Sequence, residues 1–126
     1  MAPRQTVLIV DDDAELRRMY CQALLMAGYD VREARGGFEA LQKIDASPPD
    51  IVVLDLTLPG IDGFTVHAEL TAHAHTRSIP IVVVTGTAGP LDDLKVACLL
   101  RKPVTPDGLV EAVKNCLVSG AGLADH

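Results

Sequence analysis

The chain has no tryptophan, only two tyrosines and two phenylalanines, and three cysteines in 126 residues. So few aromatics leave little to stack nucleic-acid bases on or to sandwich a flavin. Positive charge is the scarcer sign: 11 Lys and Arg stand against 17 Asp and Glu, for a formal net charge of −6. That balance argues against a nucleic-acid footprint. No apolar run approaches the roughly 18 residues of a membrane span. Residues 1–5 show no signal h-region and residues 121–126 no lipidation signal, so a cytoplasmic protein is expected. Cys21, Cys98 and Cys116 are far apart, odd in number and form no C-x-x-C pair. They read as buried thiols in a reducing compartment, not as a disulfide or zinc set. Neither G-x-G-x-x-G nor G-x-x-x-x-G-K occurs, and Gly86-Thr87-Ala88-Gly89 is a weak substitute, which argues against a nucleotide carrier.

What is present is a regular alternation. With 48% hydrophobic and 22% charged residues, the chain suits one compact domain over residues 1–118 with a short, frayed tail over 119–126. Residues 7–10 (VLIV) and 51–54 (IVVL) are apolar on both faces, as central parallel strands are. Residues 29–33 alternate and suit an edge strand. Residues 79–84 and 98–101 complete five strands. Between the first two, Leu16, Met19, Tyr20, Ala23, Leu24 and Ala27 mark one face of a helix, with Asp13 as N-cap and Gly28 as stop. A second helix runs from Gly36-Gly37 to before Pro48-Pro49. Residues 58–61 (LPGI) form a type II turn, and a third helix spans about 63–75. A short fourth helix is expected over about 90–97, and a last one over about 106–118 with Pro106 at its first position. His67, His73 and His75 read as solvated residues on or after the third helix, with His73 and His75 on different faces. Five β-α units with short connections predict an α/β fold: a five-stranded parallel sheet with helices on both faces.

In such sheets the ligand crevice lies beyond the carboxyl ends of the strands. There the sequence puts Asp11 and Asp12, Asp55, Thr85 and Lys102. Carboxylates about 4 Å apart repel by roughly 4 kcal/mol at an effective dielectric near 20, so three of them either protonate or hold a cation. An all-oxygen site suits Mg²⁺. A carboxylate kept ionised there can attack phosphorus to give an aspartyl-phosphate, with the metal, the Lys102 ammonium and the Thr85 hydroxyl each taking a phosphoryl oxygen. Gly86 leaves the approach to Asp55 open.

The segments VLIVDDD (7–13), IVVLDLTLPGIDG (51–63), PIVVVTG (80–86) and Lys102-Pro103 resemble the receiver domains of bacterial two-component response regulators, of the stand-alone, CheY-like kind. The likeness covers about residues 6–118. It implies the flavodoxin-like strand order 2-1-3-4-5. It also implies that Asp55 is the phosphoacceptor, and that Mg²⁺ is bound by the carboxylates of Asp12 and Asp55, the backbone carbonyl of Thr57 and, through a water, Asp11. Lys102 would pair with Asp55, on a cis bond to Pro103, and Thr85 would swing toward the phosphoryl group. Asp13 would be a cap and Asp62 a loop residue. The donor would be a sensor histidine kinase or a histidine phosphotransfer protein. If this sequence is the full natural chain, no DNA-binding or catalytic output domain fits in it, and the output would be phosphorylation-dependent contact with a target protein.

The sequence departs from the family between Thr85 and Lys102. Only 17 positions separate them, fewer than is usual, so the fourth helix and fifth strand form a shortened region. Leu99 stands where the family often has an aromatic residue, so no aromatic switch is expected, and coupling across residues 88–101 is altered or weak. An aspartate-nucleophile phosphatase of the haloacid dehalogenase type would need an acid two positions after Asp55, where Thr57 stands. A binding module of the same fold, with weak or no phosphorylation, remains the alternative.

Overall fold

A computed structural model describes residues 3–86, 91 and 94–124. The elements in chain order are β1 (Thr6–Val10), α1 (Ala14–Met26), β2 (Asp30–Ala34), α2 (Gly37–Ala46), β3 (Ile51–Leu54), α3 (Gly63–Ala72), β4 (Ile81–Thr85), β5 (Cys98–Arg101) and α4 (Pro106–Ala124). The strands form one parallel sheet in the order β2-β1-β3-β4-β5, the order the resemblance implies.

The uniformly apolar strands are buried on both faces because alternate side chains feed two separate layers. Leu8, Val10, Val52 and Leu54 pack with Ala40 and Ile44 of α2 and Val66 and Leu70 of α3. Val7, Ile9, Val53 and Val84 pack with Tyr20 and Leu24 of α1 and Leu109 and Val113 of α4. Each fully buried Val, Leu or Ile contributes about 1.5–3 kcal/mol relative to exposure. The strand that alternates, β2, lies at the edge.

Local signals fix the helix ends. The Asp13 carboxylate accepts from the amides of Glu15 and Leu16, both at 3.1 Å. At the other end of α1, Gly28 has φ +101°. The Gly28 and Tyr29 amides then donate back to Leu25 and Leu24, each at 3.1 Å, which completes a Schellman motif. Gly60 takes the positive φ (+72°) that a type II turn requires at its third residue.

Three expectations change. The third helix stops at Ala72 and not near His75; His73 is its extended C-cap residue. The expected fourth helix is not seen at Leu91 or residues 94–97, which are irregular; residues 90, 92 and 93 lie outside the described residues, as do residues 87–89. The last helix continues to Ala124, past the expected boundary at 118, since each residue added to an existing helix avoids the cost of nucleation. Of the three cysteines, Cys21 and Cys116 are buried and Cys98 only partly. Among the described residues, no helix is long and apolar enough to cross a membrane.

Candidate functional site

Register brings the acids together. Val10 pairs with Leu54 across the β1–β3 ladder, so Asp11 and Asp55 each leave their strand at the same level. The Asp55 amide continues the ladder by donating to the Val10 carbonyl at 3.0 Å. On the far side Thr85 pairs with Arg101, and the Lys102 amide donates to the Thr85 carbonyl at 2.9 Å. The two strand ends thus present Thr85 and Lys102 beside the acids. Thr85 is fully buried, Asp11 and Asp55 nearly so, while Asp12 and Thr57 are exposed.

The carboxylates of Asp11, Asp12 and Asp55 each offer an oxygen, and these oxygens lie within 4.8 Å of one another. Lys102 Nζ donates to Asp55 Oδ2 at 3.0 Å and to Asp11 Oδ2 at 3.1 Å. The second oxygens are held by backbone amides: Asp13 N–H donates to Asp11 Oδ1 at 2.9 Å, and Thr57 N–H to Asp55 Oδ1 at 3.0 Å. The Lys102–Pro103 peptide bond is cis. Asp13 caps α1 as expected, whereas Asp62 is more than a loop residue. It caps α3, accepting from the Thr65 amide at 2.9 Å and the Thr65 hydroxyl at 3.0 Å.

The electrostatics follow from burial. Desolvation holds the Asp11 carboxyl above its ordinary pKa, against the opposing pull of the Asp13 amide and of Lys102. Burial alone would lower the Lys102 ammonium, but its hydrogen bonds to Asp55 and Asp11 outweigh this and its pKa is raised. Three clustered carboxylates against one ammonium leave an excess of negative charge. An all-oxygen donor set with one exposed member, Asp12, fits a hard divalent cation that keeps some of its waters.

Two contributors escape sequence reading. Arg17 donates from Nη1 to the Asp11 carbonyl at 2.7 Å and from Nε to Glu33 Oε1 at 2.8 Å, tying the acidic loop to β2. Tyr20, read as part of an apolar face, also donates its hydroxyl to the Val104 carbonyl at 3.1 Å. Glu33 and Val104 are brought to these side chains by strand order, which no local pattern reveals.

The model of the response regulator receiver domain family matches residues 7–114. The chain belongs to that family. This receiver domain is 37% identical over 120 residues to the phosphate regulon transcriptional regulatory protein PhoB of Pseudomonas aeruginosa, covering 90% of the chain and 52% of that protein. It spans about half the length of several curated relatives it matches. Among solved structures it is similar to a CheY-like receiver domain protein of Methanospirillum hungatei, with a TM-score of 0.86, 28% identity, and coverage of 95% of this chain and 98% of that one. It is likewise similar to the chemotaxis response regulator CheY4 of Vibrio cholerae, with a TM-score of 0.84, 27% identity, and coverage of 90% and 99%. The receiver fold and the acidic cluster thus occur together in one chain.

Proposed function

We propose that this receiver accepts a phosphoryl group on Asp55 from a phosphohistidine of a sensor kinase or phosphotransfer protein, and signals through contacts that depend on that group. The observation that carries the reading is the placement of Lys102 Nζ 3.0 Å from Asp55 Oδ2, inside a cluster of three carboxylates. An Asp55 oxygen attacks phosphorus, the P–N bond to the donor imidazole breaks with its electron pair left on nitrogen, and the imidazole leaves neutral, keeping the proton on its other nitrogen or taking one from solvent. Lys102 offsets the charge of Asp55 and of the incoming phosphoryl oxygens. The Thr85 hydroxyl, at the end of β4, hydrogen-bonds a phosphoryl oxygen and reports its arrival. A Cβ placed on Gly86 would meet nothing within 4 Å, consistent with open access beside the acceptor.

The residues that would hold Mg²⁺ are Asp12 and Asp55 through carboxylates, Thr57 through its backbone carbonyl and Asp11 through a water. When bound, the ion supplies charge neutralisation at the phosphoryl oxygens. Asp55 is modified and later regenerated by hydrolysis, so the domain is a phosphoacceptor and not a turnover enzyme. A cytoplasmic location goes with this reading.

Incubation with a small phosphodonor and Mg²⁺, followed by intact mass, tests it. Wild type should gain one phosphoryl mass and Asp55→Asn none. The irregular stretch at residues 94–97 favours a second reading, a binding module of the same fold that is phosphorylated weakly or not at all. Unlabelled wild type, where a control receiver labels, would support that one.

A further inference from the structure

His73 and His75, expected on or after the third helix and on different faces, both lie past its end. α3 ends at Ala72, and the chain turns through His73 and His75 before β4. The turn is anchored: the amides of Thr76 and Arg77 donate to the His73 carbonyl at 3.1 and 2.9 Å. The buried Thr76 hydroxyl donates to the Leu70 carbonyl at 2.7 Å. The two imidazoles are left with ring centroids 5.9 Å apart, tilted by 45°. Each faces a carboxylate: His73 Nε2 lies 3.3 Å from Glu69 Oε2, and His75 Nε2 lies 3.7 Å from Asp45 Oδ1. All four side chains line one cavity of about 330 Å³ between α2 and the end of α3.

We propose that His73, His75, Glu69 and Asp45 form a second cation site, one for a borderline transition ion such as Zn²⁺ or Ni²⁺. Imidazole nitrogen suits these ions, whereas the all-oxygen cluster at the strand ends suits Mg²⁺. Two imidazoles on one tetrahedral zinc, with Zn–N of about 2.0–2.1 Å, have centroids about 5 Å apart. The observed 5.9 Å is near that spacing, and the rings must turn from their separate carboxylates to share an ion. The donors stand as two His–carboxylate couples, and an ion would draw them into one set. All four side chains are more than half exposed (52–84%), so rotation meets little packing resistance. The carboxylates then serve as further ligands, or as the hydrogen-bond partners that orient the rings. His67 does not join, because its Nε2 bonds the Lys95 carbonyl at 2.7 Å. A bound ion would tether the end of α2 to the α3–β4 turn and stabilise the folded chain by linkage.

The test uses the full chain in saturating Mg²⁺, titrated with Zn²⁺ by calorimetry. One binding event is expected, weakened at least about tenfold by His73→Ala and by His75→Ala, and unchanged by Asp12→Asn or His67→Ala. Co²⁺ added to ¹⁵N-labelled wild type should broaden amide signals around Asp45 and across residues 69–76. Zn²⁺ affinity that survives both His73→Ala and His75→Ala, or that disappears with Asp12→Asn, would overturn the proposal. So would Co²⁺ broadening centred on Asp11 and Asp55, a readout that needs no variant to fold.

Discussion

Lys102 Nζ sits 3.1 Å from Asp11 Oδ2, almost as close as it sits to Asp55. The lysine therefore neutralises two strand ends at once. Removing it leaves two nearly buried carboxylates without their counter-charge, a repulsion of about 4 kcal/mol at 4 Å and an effective dielectric near 20. Protonation of one carboxyl or a divalent cation then offsets that charge, and near neutral pH Mg²⁺ competes for it. Lys102→Met should raise Mg²⁺ affinity by about tenfold or more, since 1.4 kcal/mol corresponds to a factor of ten, while phosphoryl labelling of Asp55 falls. Calorimetric Mg²⁺ titration of the two proteins checks the first half; a weaker Mg²⁺ affinity in the variant contradicts it.

Asp11 carries a pH signature. Its pKa is raised in the folded chain, chiefly by burial, so the folded state binds a proton that the unfolded chain releases. The stabilisation from this group is complete below its unfolded value near 3.8. It is lost as pH rises through the folded value. At neutral pH the ionised Asp11 is thus a burden on the metal-free protein. Asp11→Asn should raise the urea midpoint at pH 7, and the gain should shrink on acidification and on addition of Mg²⁺ to both proteins. A variant less stable than wild type at pH 7 without Mg²⁺ would count against this account.

Gly63 lies where α3 starts beside the acceptor loop. A Cβ there would be 2.5 Å from Leu56 Cα and would overlap the Asp55 carbonyl oxygen. Both contacts are backbone, so the helix or the acceptor loop must move. Gly63→Ala is expected to cost about 1–3 kcal/mol and to slow labelling of Asp55. Gly36→Ala is the control, because a Cβ at Gly36 meets nothing within 4 Å. Equal urea midpoints for the two variants would refute the close-approach argument.

The fold was legible because β1, β3 and β4 carry uniformly apolar runs, and because Asp13, Gly28, Gly60 and Pro106 are local punctuation with local physical causes. Asp11 and Asp55 were legible because each directly follows such a run, Asp12 comes next after Asp11 and Lys102 follows β5, and strand ends in a parallel sheet share one side. The end of α3 was not, since its capping residue His73 gives no stop signal. The partners of Arg17 and Tyr20 were hidden for another reason. Glu33, on β2, and the Val104 carbonyl lie on segments brought close by the β2-β1-β3-β4-β5 order, whereas the Asp11 carbonyl is local to Arg17 but carries no side-chain signal.

Tyr20 bears on the acceptor through that long-range bond. Its hydroxyl holds the Val104 carbonyl at 3.1 Å, two residues beyond Lys102. Tyr20→Phe keeps the buried ring and removes one hydrogen bond, so about 1 kcal/mol of stability should be lost. The segment carrying Lys102 should loosen with it. Labelling of Asp55 by a small phosphodonor is then expected to slow even well below the thermal midpoint. An unchanged labelling rate would restrict Tyr20 to a packing role.

Leu99 sits on β5, paired in register with Val83, and packs as a partly buried residue against the layer that holds Leu8, Val52 and Leu54. A leucine so placed has no ring to move between an inward and an outward position, and no hydroxyl to mark either one. Phosphorylation at Asp55 should therefore perturb the residues around Asp12, Thr57 and Thr85 more than β5. With a phosphoryl mimic and Mg²⁺, amide shift changes across residues 94–101 should be smaller than those across residues 55–58 and at Thr85. Changes of equal size would show that the signal reaches β5 without an aromatic residue, through the Thr85 carbonyl and the Lys102 amide that bond at 2.9 Å.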